Sequence, residues 1–505
     1  MGKIQKLIGQ TLVYGLGTMV PRLLNFVILT PYYTRIFRPE EYGIITELYA
    51  YIIVLQVILT YGMETGYFRF SRDEKKKGDV YSIIQTSVLI TSVLFIFFTL
   101  LFGSKLAQVM GYENRVRLIY SVGLIVSMDA FAAIPFAKLR MEGKAFKFAL
   151  IKIFNVVITL ILVFGFLSFL PSYCARHYGS ILCYFYNGLY KVEYVFYANI
   201  IASFIVIILL YKEILSAEIK FELKVFVELL KYSLPILIAG IGGSLTDAMD
   251  RILLKHLLKE GSDAMYQLGI YGANIKLSVI MMLFVQMFRY AAEPFYFENM
   301  YDKNAKELFA EVMKIFVFFG MIIFLFVLNN INIFKLFIGK NYYEGLKIVP
   351  VVMISYLLIG IQNNASIWYK ITKNTMIGAY ITCFGALATI IFNYLLVPVL
   401  GYYGAAITRV IAFGSMAIIT LYLGNKNYFI PYQWKKILIS IIIGIVLYCV
   451  FTNFNLDKVK YWYLIGNFII NIYIIFILYV EKDLRKELIK IFRYGKYKNK
   501  EYFAE

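Results

Sequence analysis

YSLPILIAGIGGSLTDAMDRILLK (residues 232–255) reads as a helix that crosses lipid and carries charge with it. Most of the stretch is apolar, yet Asp247, Asp250 and Arg251 stand well inside it. An unpaired charge at the bilayer centre costs about 3 kcal/mol on insertion scales, so such residues face a partner, a cavity or water. Their i, i+3, i+4 spacing puts all three on one helical face, and Asp247 reaches Arg251 across one turn. They form either a self-neutralising structural pair or part of a functional site. Gly240, Gly242 and Gly243 fit close helix packing or local bending, since neither GxGxxG nor GxxxxGK[ST] occurs to make a nucleotide site. Asp247-Ala-Met-Asp250 is also a DxxD, a magnesium-diphosphate pattern. No second Asp-rich cluster lies in a helix to complete such a site, so no catalytic residue and no metal ligand is assigned.

The whole chain has the character of that stretch. Of its 505 residues 61% are hydrophobic and 16% charged, with a mean hydropathy of +0.71. This is far more apolar than a soluble domain and makes an all-α polytopic membrane protein the expected fold class. Apolar runs of about 20 residues, enough to span the hydrocarbon core, fall near 11–34, 43–68, 80–102, 118–137, 149–170 and 190–211. After a polar break they resume near 232–257, 268–292, 309–329, 347–369, 375–397 and 402–423, and two more lie near 435–452 and 461–480. About fourteen transmembrane helices are therefore expected. The first run follows Lys3 and Lys6 but lacks a cleavage site, and it reads as a retained helix.

The formal charge of +20 is distributed between the runs, which makes it a topology signal and speaks against a nucleic-acid partner. Arg69, Arg72, Lys75, Lys76 and Lys77 follow the second run, and Lys138, Arg140, Lys144 and Lys147 follow the fourth. Those sides are expected to be cytoplasmic, and an even helix count puts both termini there. Residues 481–505 form a basic tail suited to anionic lipid. The break at 212–231 spaces Phe221, Val225 and Leu229 four apart with lysines between them, the pattern of an interfacial amphipathic helix. The expected domains are thus an N-lobe (1–211), a cytoplasmic amphipathic linker (212–231), a C-lobe (232–424), two further helices (425–480) and the tail (481–505). Cys174 and Cys183 sit in a tyrosine-rich outer loop, where spacing alone leaves a disulfide open, and two histidines make a zinc site improbable.

The two sets of six also align as a repeat. Tyr14–Gly17 falls on Ala239–Gly242, and Gly43-Ile44 on Gly269-Ile270, which aligns Arg22 with Asp247 and Asn25 with Asp250. Six helices per copy keep the copies parallel, and parallel repeats place substrate between the halves. Other charges within or at the ends of runs are Glu47, Glu64, Asp129, Lys276, Arg289, Glu293 and Arg409. Arg289 and Glu293 are a second i, i+4 pair. Guanidinium groups fork onto phosphate oxygens, while Asn, Tyr and carboxylates accept sugar hydroxyls, so the mixture suits a substrate with both groups.

Five stretches carry a family resemblance: RIFRPEEYGI (35–44), ETGYFRFS (64–71), DAMDR (247–251), LGIYGANIKL (268–277) and FRYAAEPFYF (288–297). In their order and spacing the chain, over residues 5–480, resembles the multidrug/oligosaccharidyl-lipid/polysaccharide exporter superfamily, and within it the Wzx-type polysaccharide flippases. The resemblance implies two six-helix lobes around a cavity, two extra helices, and alternating access that flips an undecaprenyl-diphosphate-linked oligosaccharide across a bacterial inner membrane. Asp250-Arg251 and Glu293-Pro294 match family-typical positions, and Arg22 matches in kind. The resulting expectation has Arg22, Asn25, Lys276, Arg289 and Arg409 bind substrate. Glu47, Glu64, Asp129, Asp247, Asp250, Arg251 and Glu293 gate or couple, with H+ or Na+ as driving ion and no other cofactor. Expected partners are the lipid-linked oligosaccharide, membrane lipids and a polysaccharide polymerase. A cation or drug antiporter and a lipid II flippase are the alternatives on the same fold, though Arg22 and Arg409 argue against a cavity for organic cations.

Overall fold

The computed structural model describes residues 17, 19–71, 77–177, 179–184, 186–258 and 263–481. The start of the first apolar run, part of the basic stretch after the second, and the basic tail lie outside them. Among the described residues the membrane-crossing segments are helical and there is no strand, as lipid requires of a backbone with no water to bond. Thr30–Ile36, preceded by the wide turn Asn25–Leu29, is α1. Twelve helices are long and apolar enough to span a membrane: α2 Pro39–Phe70, α3 Asp79–Val109, α4 Glu113–Met141, α5 Ala145–Arg176, α6 Gly188–Leu209, α7 Leu223–Leu257, α9 Ala305–Asn329, α10 Lys340–Ile371, α11 Thr375–Leu400, α12 Tyr402–Asn427, α13 Trp434–Asn453 and α14 Trp462–Val480. A thirteenth span, α8, is a pair of helices, Ala264–Leu277 and Val279–Glu298, bent by 48°. Each coincides with one expected run, and the described part of the first run, residues 17 and 19–34, is helical and ends in α1.

Prolines explain the two wide turns. Asn25–Leu29 and Gly165–Phe169 are both π-turns, and each lies just before a proline, Pro31 and Pro171. A proline has no N–H to give the carbonyl four residues back, and a widened turn re-pairs the neighbouring groups. Tyr32, just after the first turn, and Ser168, within the second, share a 2.5 Å hydrogen bond. A disulfide joins Cys174, in the last turns of α5, to Cys183 in the α5–α6 connection.

The break at 212–231 is not one amphipathic helix. Tyr211–Leu215 is a short helix, residues 216–222 are mostly extended, and Leu223 already begins α7. The extended strap is held by the α3 surface: Glu218 N–H donates to Ser82 Oγ (3.1 Å), Lys220 N–H to Thr86 Oγ1 (3.3 Å), and Lys220 Nζ pairs with Asp79 (2.7 Å). Nothing between Leu223 and Tyr232 stops a helix, so the four-residue spacing of Val225 and Leu229 simply continues into α7. Period alone could not separate an interfacial helix from the first turns of a long one.

The chain packs as two compact units, Met1–Lys276 with Ile338–Ile348 and Asn374–Met416, and Leu277–Phe337 with Val349–Lys373 and Ala417–Glu505. In the first, α2 lies along α7. Gly62 and Gly66 of α2 close on Ser233, Gly240 of α7 closes on Val57, and Ala50 packs with Ala248 and Ile252. On its other side Gly242 rests against the Thr382 and Cys383 backbone of α11, where a Cβ would stand 2.9 Å away. Two of the three glycines in the opening stretch thus admit neighbouring helices.

The repeat has a physical counterpart where α2 and α8 begin. A Cβ on Gly43 would stand 2.3 Å from the Met265 carbonyl oxygen, and one on Gly269 would stand 1.8 Å from that of Pro39. Gly43 follows Pro39 at the same interval as Gly269 follows Met265, so each glycine meets its partner's counterpart, as a two-fold relation between the copies requires. In the second unit Phe316 of α9 fills the space over Gly360 and stacks on Phe284 at 5.3 Å. Buried Lys314 is held there by Glu481 and Glu311.

The crossing predicts a graded glycine response. Gly269→Ala forces backbone apart and should cost about 1–3 kcal/mol, the usual range for overpacking. Gly243→Ala, with nothing within 4 Å of its Cβ position, should not lower stability. Thermal melts of the two purified variants check the difference.

Candidate functional site

The charges of α7 meet α12 and α8. Asp250 is fully buried, and its carboxylate accepts from Arg409 Nη1 at 2.9 Å, from Tyr271 OH at 2.5 Å and from the Arg251 backbone N–H at 2.8 Å. Arg409, 1% exposed, gives its other nitrogen to Asp247 Oδ1 at 2.8 Å. Arg251 lies 3.6 Å from Asp247 and 3.5 Å from Asp250. Arg409 Nη1 and Arg251 Nη2 also donate to the Asp247 backbone carbonyl, at 3.0 and 2.5 Å. Lys276 is exposed and within electrostatic reach of Asp247 and Arg251. The structure therefore brings together five of the sequence-derived residues: Asp247, Asp250, Arg251, Lys276 and Arg409. The i, i+4 pair foreseen on α7 exists, but Arg409 supplies its stronger contacts.

A second group sits where α2 begins and α3 and α7 end. Glu47 is fully buried. It meets Lys255 Nζ at 3.1 Å, accepts a hydrogen bond from Tyr112 OH, and has His256 Nε2 at 3.8 Å. Lys255 also donates to the Met110 carbonyl and lies 4.0 Å from the Tyr112 ring centre. Beside it, Tyr342 OH donates to the Phe37 carbonyl (2.9 Å), Gly339 N–H to Thr34 Oγ1 (2.9 Å) and Asn274 Nδ2 to the Tyr342 carbonyl (2.8 Å). Together with the Gly43–Gly269 crossing, these contacts close this end of the first unit.

A third group lies among α2, α4, α5 and α6. Asp129 accepts from Ser203 at 2.7 Å, and Glu64 is ion-paired with Arg140. Lys152 sits 4.0 Å over the Phe136 ring, within the electrostatic field of Asp129, Glu64, Arg140 and Arg22. Arg22 is exposed on the helical segment before α1, and Asn25, also exposed, opens its π-turn. In the second unit Glu293 pairs with Lys370, and Arg289 lies 5.6 Å from the Tyr290 ring centre. The expected Arg289–Glu293 pair is therefore replaced by one across helices, because Lys370 at the end of α10 reaches the Glu293 carboxylate first.

Lys152, Lys255, Lys370 and the tyrosines 112 and 271 were not among the sequence-derived residues. Lys255 could have been found, since Asp247, Arg251 and Lys255 recur at i, i+4, i+8 on one face. Lys152 stands inside an apolar run as openly as Asp129 does. The two tyrosines could not, because their hydroxyls matter only through contacts distant in sequence.

Residues 7–300 match the family described as polysaccharide biosynthesis protein. Among solved structures the chain is similar to the lipid II flippase MurJ in an inward closed conformation, at 16% identity and TM-score 0.69, covering 94% of this chain and 99% of that one. It is also similar to a multidrug resistance MATE family transporter of the MOP superfamily in its inward-facing conformation, at 15% identity and TM-score 0.56, covering 82% and 97%. The outward-facing form of such a transporter matches at 16% identity and TM-score 0.55, covering 83% and 95%. No curated protein matches the chain. At these identities the likeness is one of fold.

Burial separates the two aspartates. Arg409→Met leaves the Asp250 carboxylate without its main counter-ion, a loss of about 3–5 kcal/mol for a buried pair. Arg409→Met combined with Asp250→Asn should regain much of that, and Asp247→Asn alone should cost least. A double-mutant cycle on melting temperature checks the coupling.

Proposed function

The chain belongs to the polysaccharide biosynthesis protein family, and from that membership we propose that it is a flippase for a lipid-linked oligosaccharide. It is a multi-pass membrane protein with the fold of the MOP superfamily transporters. The observation that carries the proposal is the α7–α8–α12 cluster, where guanidinium, ammonium and carboxylate groups stand in an apolar bundle. Such a set binds a diphosphate and accepts the hydroxyls of an attached sugar. In this reading the substrate is an undecaprenyl-diphosphate-linked oligosaccharide moved from the inner to the outer leaflet of a bacterial inner membrane. Arg22, Asn25, Lys276, Arg289 and Arg409 contact it. A proton or sodium ion exchanged at Glu47, Glu64, Asp129, Asp247, Asp250 or Glu293 drives the cycle, and a polymerase takes the product.

Alternating access needs an end that closes. With both termini on the cytoplasmic side, as the Lys138–Lys147 connection implies, the closed end built on Glu47 and the Gly43–Gly269 crossing faces outward. Glu47 and Lys255 then act as a latch between α2 and α7 that must part before substrate leaves.

Two experiments test this. In a flippase-null strain the wild-type chain should restore surface polysaccharide in at least one sugar background, and Arg22→Ala should reduce it. If the chain restores none but lowers accumulation of a cationic dye, it is an antiporter. Glu47→Lys and Lys255→Glu should each impair complementation and recover it in combination, as expected for a directly paired buried latch. Recovery no better than either single variant would contradict the latch.

A further inference from the structure

At the open edge of the α7 cluster Arg251, Lys276 and Arg409 gather around Asp247 and Asp250. The two carboxylates are held very differently. Asp250 is fully buried and bonded by Arg409, Tyr271 and the main chain. The Asp247 side chain is 45% exposed, with one short contact to Arg409 at 2.8 Å and a loose one to Arg251 at 3.6 Å. Asp247 is therefore the less firmly held of the two carboxylates.

Each guanidinium group keeps another hydrogen-bond acceptor when that carboxylate leaves. Both are hydrogen-bonded to the backbone carbonyl of Asp247 rather than to its side chain alone, Arg409 Nη1 at 3.0 Å and Arg251 Nη2 at 2.5 Å. Arg409 stays paired with Asp250 as well. The cations are thus pre-positioned around a point now filled by a single replaceable carboxylate. Lys276, exposed beside them, adds a third cation on that side.

We propose that Asp247 is a built-in anion that masks a phosphate-binding site formed by Arg251, Lys276 and Arg409, and that a phosphate or diphosphate group displaces it. This rests on the flippase reading for the identity of its natural ligand, though the masked site itself does not require it. A phosphate group carries more charge than a carboxylate and offers oxygens to two guanidinium forks together, so it competes well for the position. The returning carboxylate in turn helps expel it. A carboxylate that both guards and vacates a cationic site keeps those cations neutralised when empty, which a bundle in lipid requires, and keeps substrate binding reversible.

The test uses full-length protein in lipid nanodiscs and titration calorimetry. The probes are inorganic diphosphate, as the bare anion, and farnesyl diphosphate, as a prenyl-linked one. Asp247→Asn and Asp247→Ser should each bind inorganic diphosphate about ten-fold more tightly than wild type, as removal of a competing charge at close range predicts. Adding Lys276→Gln should reverse most of that gain. Two substitutions are used so that a folding defect in one does not decide the result, and melting temperature confirms that each is folded. Unchanged or weaker diphosphate binding in the folded variants overturns the proposal, even where the wild type transports a lipid-linked saccharide, and the flippase reading then stands alone. A gain for inorganic diphosphate with no tighter binding of farnesyl diphosphate than of the bare anion supports the masked site but assigns it to soluble phosphate, and the lipid-linked reading falls.

Discussion

A charge with no water around it must be answered by a fixed partner, and the first unit is arranged about two such charges, Asp250 and Glu47. Both are fully buried. Asp250 binds α7 to α12 through Arg409 and to α8 through Tyr271. Glu47 binds α2 to α7 through Lys255 and to the end of α3 through Tyr112. Lipid gives helices little hydrophobic reason to associate, so these ionic contacts specify which helices meet and at what register. Removing one partner leaves the other charged and buried, which is why such contacts resist substitution even when they add little net stability.

The glycines do the complementary task. Gly242, Gly43 and Gly269 remove side-chain bulk at the places where helices must come backbone to backbone. At Gly43 and Gly269 the contact is reciprocal, and the repeat inferred from two short sequence matches becomes a physical relation between the starts of α2 and α8. The same region holds Glu47, so this backbone crossing and a fully buried carboxylate lie at one end. A transporter that alternates needs such an end to open as a unit, and a seam held by a few polar contacts and bare backbone can do so without exposing a large apolar core.

The helices were legible because lipid makes apolar length a nearly sufficient signal, and thirteen of the fourteen runs map onto described spans, the first run being described only in part. Legibility ended where a helix leaves the membrane. Residues 212–231 kept a helical period, and only the hydrogen bonds that Glu218 N–H and Lys220 N–H donate to Ser82 and Thr86 show that part of it is an extended strap. For the site, charges in apolar runs pointed to Asp247, Asp250, Arg251 and Arg409, and a local i, i+4 rule found one of their contacts. The rule misassigned Glu293, whose partner Lys370 comes from another helix. It was silent on Tyr271 and Tyr112, since a tyrosine in a chain with 44 of them carries no signal until the fold brings its hydroxyl to a carboxylate.

Movement of a lipid-linked saccharide between leaflets can be followed in proteoliposomes. The purified protein would be reconstituted with a fluorescent polyprenyl-diphosphate-linked oligosaccharide, and a membrane-impermeant quencher would be added outside. If the protein flips this lipid, fluorescence falls well beyond the outer-leaflet share with wild-type protein, and the Glu47→Lys variant slows this fall. Loss limited to the outer-leaflet share, equal to that of protein-free liposomes under either a proton or a sodium gradient, would contradict it.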